Sequence, residues 1–223
     1  MSSNDTALPN SPDLKLTRIP EKQSFDRDAL YRLIDDSIVG HVAMVRGTQP
    51  IVLAVGIGRD NDSLLVHGST GSGIFREMAK GQPLAVSITA LDALVYARSA
   101  FESSMHYRSA MIMGTATVVP DSEKLAALEI ITEHLMPGRW SEVRDTTKKE
   151  LAATMVLRIP LDQVSLKISD GPVDEFEDDG DPRSIWAGIL PLRTVAGTPV
   201  SSELTPEGTE VSPSVIAQAQ RLR

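Results

Sequence analysis

Between residues 41 and 168 the chain is a close succession of short β runs, and their spacing constrains the fold more than any other feature. Apolar, strand-like stretches fall at 41–46, 51–57, 63–67, 84–91, 94–100, 110–119, 155–159 and 164–168. Gly47-Thr48-Gln49-Pro50 and Arg59-Asp60-Asn61-Asp62 separate the first three with turn chemistry. Three helices accompany the series, the first ahead of it. The first starts after Asp26, a good N-cap, with Phe25 and Leu30 placed for a hydrophobic staple. In it Leu30, Leu33 and Ile34 repeat at helical spacing, and Gly40 ends it. The second covers 72–80. The third opens at Pro120-Asp121-Ser122 and sets Leu125, Leu128, Thr132 and Leu135 on one face. Strands this closely spaced, with two or three helices as plugs, predict a mainly β fold with helices: a small antiparallel barrel. Met105, Met111 and Met113 alternate along one run and are expected in the core.

At 223 residues the chain can bury a full core, and one domain with extensions is the simplest division. The expected parts are an N-terminal arm over 1–23, the barrel domain over 24–170, and a C-terminal extension over 171–223. That extension is rich in Pro, Gly, Asp, Glu, Ser and Thr. An apolar island at 185–192 is expected to dock on the barrel or on a partner subunit, and 214–223 to form a short helix.

Several classes of function are excluded or disfavoured. No apolar stretch is long enough to span a bilayer, so no membrane role is expected. Residues 1–15 lack a basic region followed by an apolar one, so no secretory signal is expected. The chain has no cysteine, which removes disulfides, thiolate nucleophiles and Cys-based metal sites and fits a cytoplasmic location. A net charge of −8 argues against nucleic-acid binding. The acidic run 174–181 is expected to be a solvated loop. There is no G-x-G-x-x-G after a strand, no P-loop, no G-x-S-x-G, and no metal-ligand spacing. Asp35 and Asp36 are helix neighbours that point to different sides, not a catalytic pair.

Two segments carry chemistry. The first runs from Leu64 through His67, Gly68, Ser69, Thr70, Gly71 and Ser72 into a helix bearing Arg76 and Lys80. An apolar strand that ends in small residues and hydroxyls, with cations on the helix behind it, suits a phosphate. The bland alternative is a plain loop and N-cap, with Lys80 merely favouring its helix C-terminus. The second is Met105-His106-Tyr107-Arg108-Ser109, which offers a ring, a guanidinium and a hydroxyl where a flat anionic cofactor can lie. Arg108 can equally be an ion-pair residue, and His67 a structural histidine closing its strand. His41 and His134 are read as structural.

The order of these motifs is familiar. The sequence of helix, His41-Val42-Ala43, Leu65-Val66-His67-Gly68-Ser69, Ala97-Arg98-Ser99-Ala100-Phe101, Met105-His106-Tyr107-Arg108-Ser109 and Gly114-Thr115-Ala116 resembles the pyridoxamine 5′-phosphate oxidase-like, flavin-nucleotide-binding group of the split β-barrel superfamily. Nitroimidazole-resistance reductases are relatives within it. The resemblance covers roughly residues 15–195, including Lys167 and Trp186-Ala187-Gly188. It implies a six-stranded antiparallel split barrel, a homodimer, and one FMN per subunit at the dimer interface. It also implies cofactor contacts from His67, Gly68, Ser69, Thr70 and Ser72, and from Tyr107, Arg108 and Ser109; Arg76 and Lys80, four and eight residues after Ser72, add positive charge from one helical face by spacing alone. Trp186 is either a stacking residue near the flavin or a hydrophobic anchor. Family members often carry Arg after the hydroxyl that Ser72 matches; here it is Gly73. The C-terminal arginine motif of the true pyridoxamine phosphate oxidases is not found. The expected activity is therefore an FMN-dependent oxidoreductase of a small molecule, with His67 touching the substrate, and not an authentic pyridoxamine phosphate oxidase. The alternative is a non-catalytic flavin carrier, or a split barrel that binds haem or a deazaflavin.

Overall fold

The structure is a computed structural model that describes residues 7–8, 14–176, 179–181 and 184–222. Glu177 and Asp178 of the acidic run, and much of the N-terminal arm, lie outside the described residues. The strands are β1 (Gln23–Ser24), β2 (Val39–Arg46), β3 (Gln49–Asp60), β4 (Ser63–Ser69), β5 (Leu84–Tyr96), β6 (Ser104–Gly114), β7 (Thr117–Val118), β8 (Thr154–Pro160), β9 (Val164–Ser169) and β10 (Gly188–Pro191). The helices are α1 (Arg27–Asp36), α2 (Gly73–Met78), α3 (Lys124–Leu135), α4 (Lys148–Ala153) and α5 (Pro213–Arg221). None is long and apolar enough to cross a membrane.

All pairings are antiparallel, in the order β1-β9-β6-β5-β2-β3-β4-β8-β7, with β10 also on β5. The fold is the expected mainly β split barrel. It carries ten strands rather than six, three of them (β1, β7 and β10) short, and the path does not close. The runs 84–91 and 94–100, expected as two strands, are one strand. A bulge at Asp92 interrupts its pairing with β6 between Leu91 and Ala93 without ending it. One edge of β5 is shared: Leu84–Ser87 pair with β2, and Ala93–Tyr96 with β10.

Period-two alternation separates the two faces of this sheet. Val42, Ile57, Val66, Val86, Ile112 and Leu157 point inward and are buried, and α1 inserts Leu30, Leu33 and Ile34 among them. Each such side chain contributes roughly 1.5–3 kcal/mol on burial. Asp26 caps α1 by accepting from the Asp28 N–H.

On the outer face, α3 covers β3 and β4, burying Ala127 and Ile131 against Leu65 and Val156. Of the expected face, Leu128 and Leu135 pack against this cluster, while Leu125 is exposed and Ala127 and Ile131 take the fully buried positions. Gly58 explains the difference. A Cβ there would lie 3.0 Å from the Ile131 Cα, so α3 settles onto the glycine with Ile131 foremost. The rest of the outer face, across β3, β2, β5, β6 and β9, carries Val52, His41, Ser87, Met111 and Lys167. Val52 is 66% exposed and Met111 43%. Met105 and Met111 are therefore surface residues, not core. They alternate onto the face opposite the buried Ala110 and Ile112.

Candidate functional site

The first sequence-predicted segment forms the end of β4 and the turn into α2. Val66 and Gly68 face inward, while His67 and Ser69 face out. Gly68 is held there by packing. A Cβ on it would meet the Phe75 ring at 2.6–2.7 Å. The turn is closed by its own hydroxyls. Ser69 Oγ accepts from the Gly71 N–H at 3.1 Å, and Ser72 Oγ from the Phe75 N–H at 3.5 Å. Thr70 donates from both N and Oγ1 to the Ala153 carbonyl. Among the described residues, Arg76 and Lys80 have no ion-pair partner.

A third cation stands here that sequence reasoning missed. Arg46, the last residue of β2, donates from Nε to Glu77 Oε1 at 3.2 Å. Its Nη2 lies 3.1 Å from where a Gly73 Cβ would be. The only signal in the sequence was a cation closing an apolar run just before Gly47. Arg46 thus meets Glu77 beside a turn rich in hydroxyls, and the short helix that follows carries the exposed Arg76 and, just past its end, Lys80, within a chain of net charge −8. That donor set suits an oxyanion.

The His67 side chain makes no hydrogen bond to a described residue. Burial beside β8, where it pairs with Val156, pushes its imidazole below the usual histidine range. The shift favours its neutral form, which presents a nitrogen lone pair.

The second segment divides by alternation. Tyr107 and Ser109 lie on the outer face with Lys167, whose Nζ sits 5.3 Å from the Tyr107 ring centroid. Arg108 points to the other side. It donates to Asp92 from Nε at 3.0 Å and from Nη2 at 2.9 Å, and to Asp36 from Nη1 at 2.9 Å. These carboxylates raise its pKa above the usual arginine value. Arg98 is likewise engaged, 3.5 Å from Glu175 and donating to the Phe176 carbonyl. Trp186, 68% exposed, sits beside Tyr96 with ring centroids 6.0 Å apart.

The turn and the Tyr107–Ser109 face are not neighbours within one chain. β5, β2 and β3 separate β6 from β4, roughly 19 Å along the sheet at about 4.8 Å per strand. Among the cavities, two stand out, the second bordering the Met105–His106 end of β6. An apolar one of about 390 Å³ between α3 and α5 is lined by Met136, Val215 and Ala219. A polar cleft of about 230 Å³ is lined by Lys22, Glu102, His106 and Ser169.

Residues 26–168 match the family model described as pyridoxamine 5′-phosphate oxidase. Among solved structures, the FAD and heme binding protein from Mycobacterium smegmatis is 44% identical. The match covers 88% of this chain and 96% of that one, with a TM-score of 0.84. The flavocytochrome Anf3 from Azotobacter vinelandii is 24% identical over 96% of this chain and 97% of its own, also at 0.84. A Bacteroides thetaiotaomicron protein named for 5-nitroimidazole antibiotic resistance is 22% identical over 66% of this chain and 86% of its own, at 0.57. No curated protein matches the sequence.

Proposed function

The chain belongs to the pyridoxamine 5′-phosphate oxidase family, and from that premise we propose that it is a flavin-binding redox protein. The observation that carries this reading is its likeness, at 44% identity over 88% of its length, to an FAD- and haem-binding protein. The residues present fit the group. Arg46, Arg76, Lys80 and the hydroxyls of the β4–α2 turn form a donor set for the flavin's phosphate. The exposed face bearing Tyr107, Ser109 and Met111 offers a flat, weakly polar surface to the ring system.

The sequence reading named FMN, and the M. smegmatis relative favours FAD. Both contain riboflavin 5′-phosphate, so one turn serves either. The distance between turn and face within one chain supports a homodimer, in which a second copy covers the outer face and brings the two halves of the site together.

When bound, the flavin supplies hydride and electron transfer. The chain's residues bind it, orient it and exclude water. The substrate is a small molecule other than pyridoxamine phosphate. The reading rests on Arg98 and Arg108, which are held by carboxylates and so are not arranged as a second phosphate cradle.

Haem is the second reading, as an additional ligand or as the only one, again on the 44%-identical relative. The His67 ring, which has no side-chain hydrogen bond to a described residue and whose neutral form is favoured, fits a metal ligand as well as a substrate contact. Titration with FAD, FMN and haem in turn separates these readings. The proposal expects saturable flavin binding near one per chain, and bleaching by a reduced nicotinamide or dithionite. Uptake of haem with no flavin would leave only the second reading, and uptake of neither would overturn both.

A further inference from the structure

We propose that Arg46, delivered from the end of β2, is the phosphate-gripping cation of this protein and that Gly73 is glycine to make room for it. The inference rests on the flavin reading above and assigns a residue to it that lies outside both sequence segments.

The geometry is specific. Residue 73 follows the Ser72 hydroxyl, and a Cβ there would sit in tight contact with the Arg46 guanidinium, 3.1 Å from Nη2 and 3.7 Å from Cζ, so that the arginine would have to give by a few tenths of an ångström. Gly73 is not at positive φ, so its backbone does not demand glycine. The neighbouring guanidinium is what a side chain would meet. Arg46 is also oriented. Glu77 holds its Nε edge at 3.2 Å, while neither Nη bonds to a described residue, leaving the other edge open toward the turn. A guanidinium held on one edge and free on the other is arranged to take a planar or tetrahedral oxyanion through two N–H groups. Arg76 and Lys80, on and just after the same short helix, have no ion-pair partner among the described residues to fix their direction.

The test compares FMN with riboflavin, which lacks the phosphate, by fluorescence titration of wild type, Arg46→Ala, Arg46→Gln, Arg76→Ala/Lys80→Ala and Arg46→Ala/Gly73→Arg. Losing Arg46 should weaken FMN about tenfold, or about 1.4 kcal/mol, with riboflavin unchanged. Arg46 is half exposed and its removal should leave the fold intact, which circular dichroism checks. Returning the cation on residue 73 should recover most of the lost affinity. If Arg46→Ala and Arg46→Gln keep the wild-type FMN-to-riboflavin ratio while Arg76→Ala/Lys80→Ala lowers it, Arg46 is wrongly assigned and the phosphate site stands. If no variant moves the ratio, the placement of the phosphate fails and Arg46 with it. Equal weakening of FMN and riboflavin would also overturn the assignment.

Discussion

Arg108 and Asp92 form a two-pronged ion pair across the β5 bulge, with Nε and Nη2 at 3.0 and 2.9 Å from the two carboxylate oxygens. Asp92 is the residue that drops out of the β5–β6 ladder. The pair therefore fixes an irregularity in the sheet, and Asp36 ties α1 to the same guanidinium.

Arg108→Ala should accordingly cost stability more than cofactor affinity. Charge-assisted hydrogen bonds contribute roughly 1.5–3 kcal/mol each when shielded, and partial exposure reduces the loss here to about 1–2 kcal/mol. Urea denaturation measures it. A variant of wild-type stability with weakened flavin binding would restore Arg108 as a cofactor contact.

Gly68→Ala should destabilise by about 1–3 kcal/mol, since the added carbon meets the buried Phe75 ring at 2.6 Å. Phe75→Leu in the same chain should recover part of the loss. An unchanged denaturation midpoint in the single variant would contradict the packing account of this glycine.

His67 should titrate below the ordinary imidazole value of 6.5, because burial disfavours its charged form. The folded chain then binds fewer protons here than the unfolded one. The resulting stability is fully present above pH 6.5 and is lost progressively as the pH falls through the lowered folded value. An NMR titration reads it directly. A midpoint at or above 6.5 would show that the ring is not desolvated.

Much of this was legible in the sequence because strand alternation and helix spacing are local signals. The α1 start at Asp26, with Leu30, Leu33 and Ile34 buried, is where the residues place it. What failed depended on tertiary context. Met105 and Met111 look like core because an uncovered, weakly polar face reads like an inner one. Asp92 looks like a strand end because its Arg108 partner is distant in sequence. The buried face of α3 turns on Gly58 beneath Ile131. Arg46 was invisible because nothing in β2 announces that its last side chain meets the start of α2.

Val52→Glu should turn a dimer into a monomer and weaken flavin binding together. Val52 is 66% exposed in the single chain, so the fold itself has no reason to suffer. Light scattering at micromolar concentration checks it. A wild-type chain that is monomeric and still binds flavin fully would remove the homodimer from the account.

The central claim is that the chain holds a flavin nucleotide by its phosphate. The most direct measurement is to purify the protein under native conditions, release what it carries, and identify it by mass against FMN, FAD and haem. The account predicts a flavin nucleotide at about one per chain, regained by the stripped protein on adding FMN or FAD but not held equally by riboflavin. A protein that releases no flavin, and retains none when it is supplied, would contradict it.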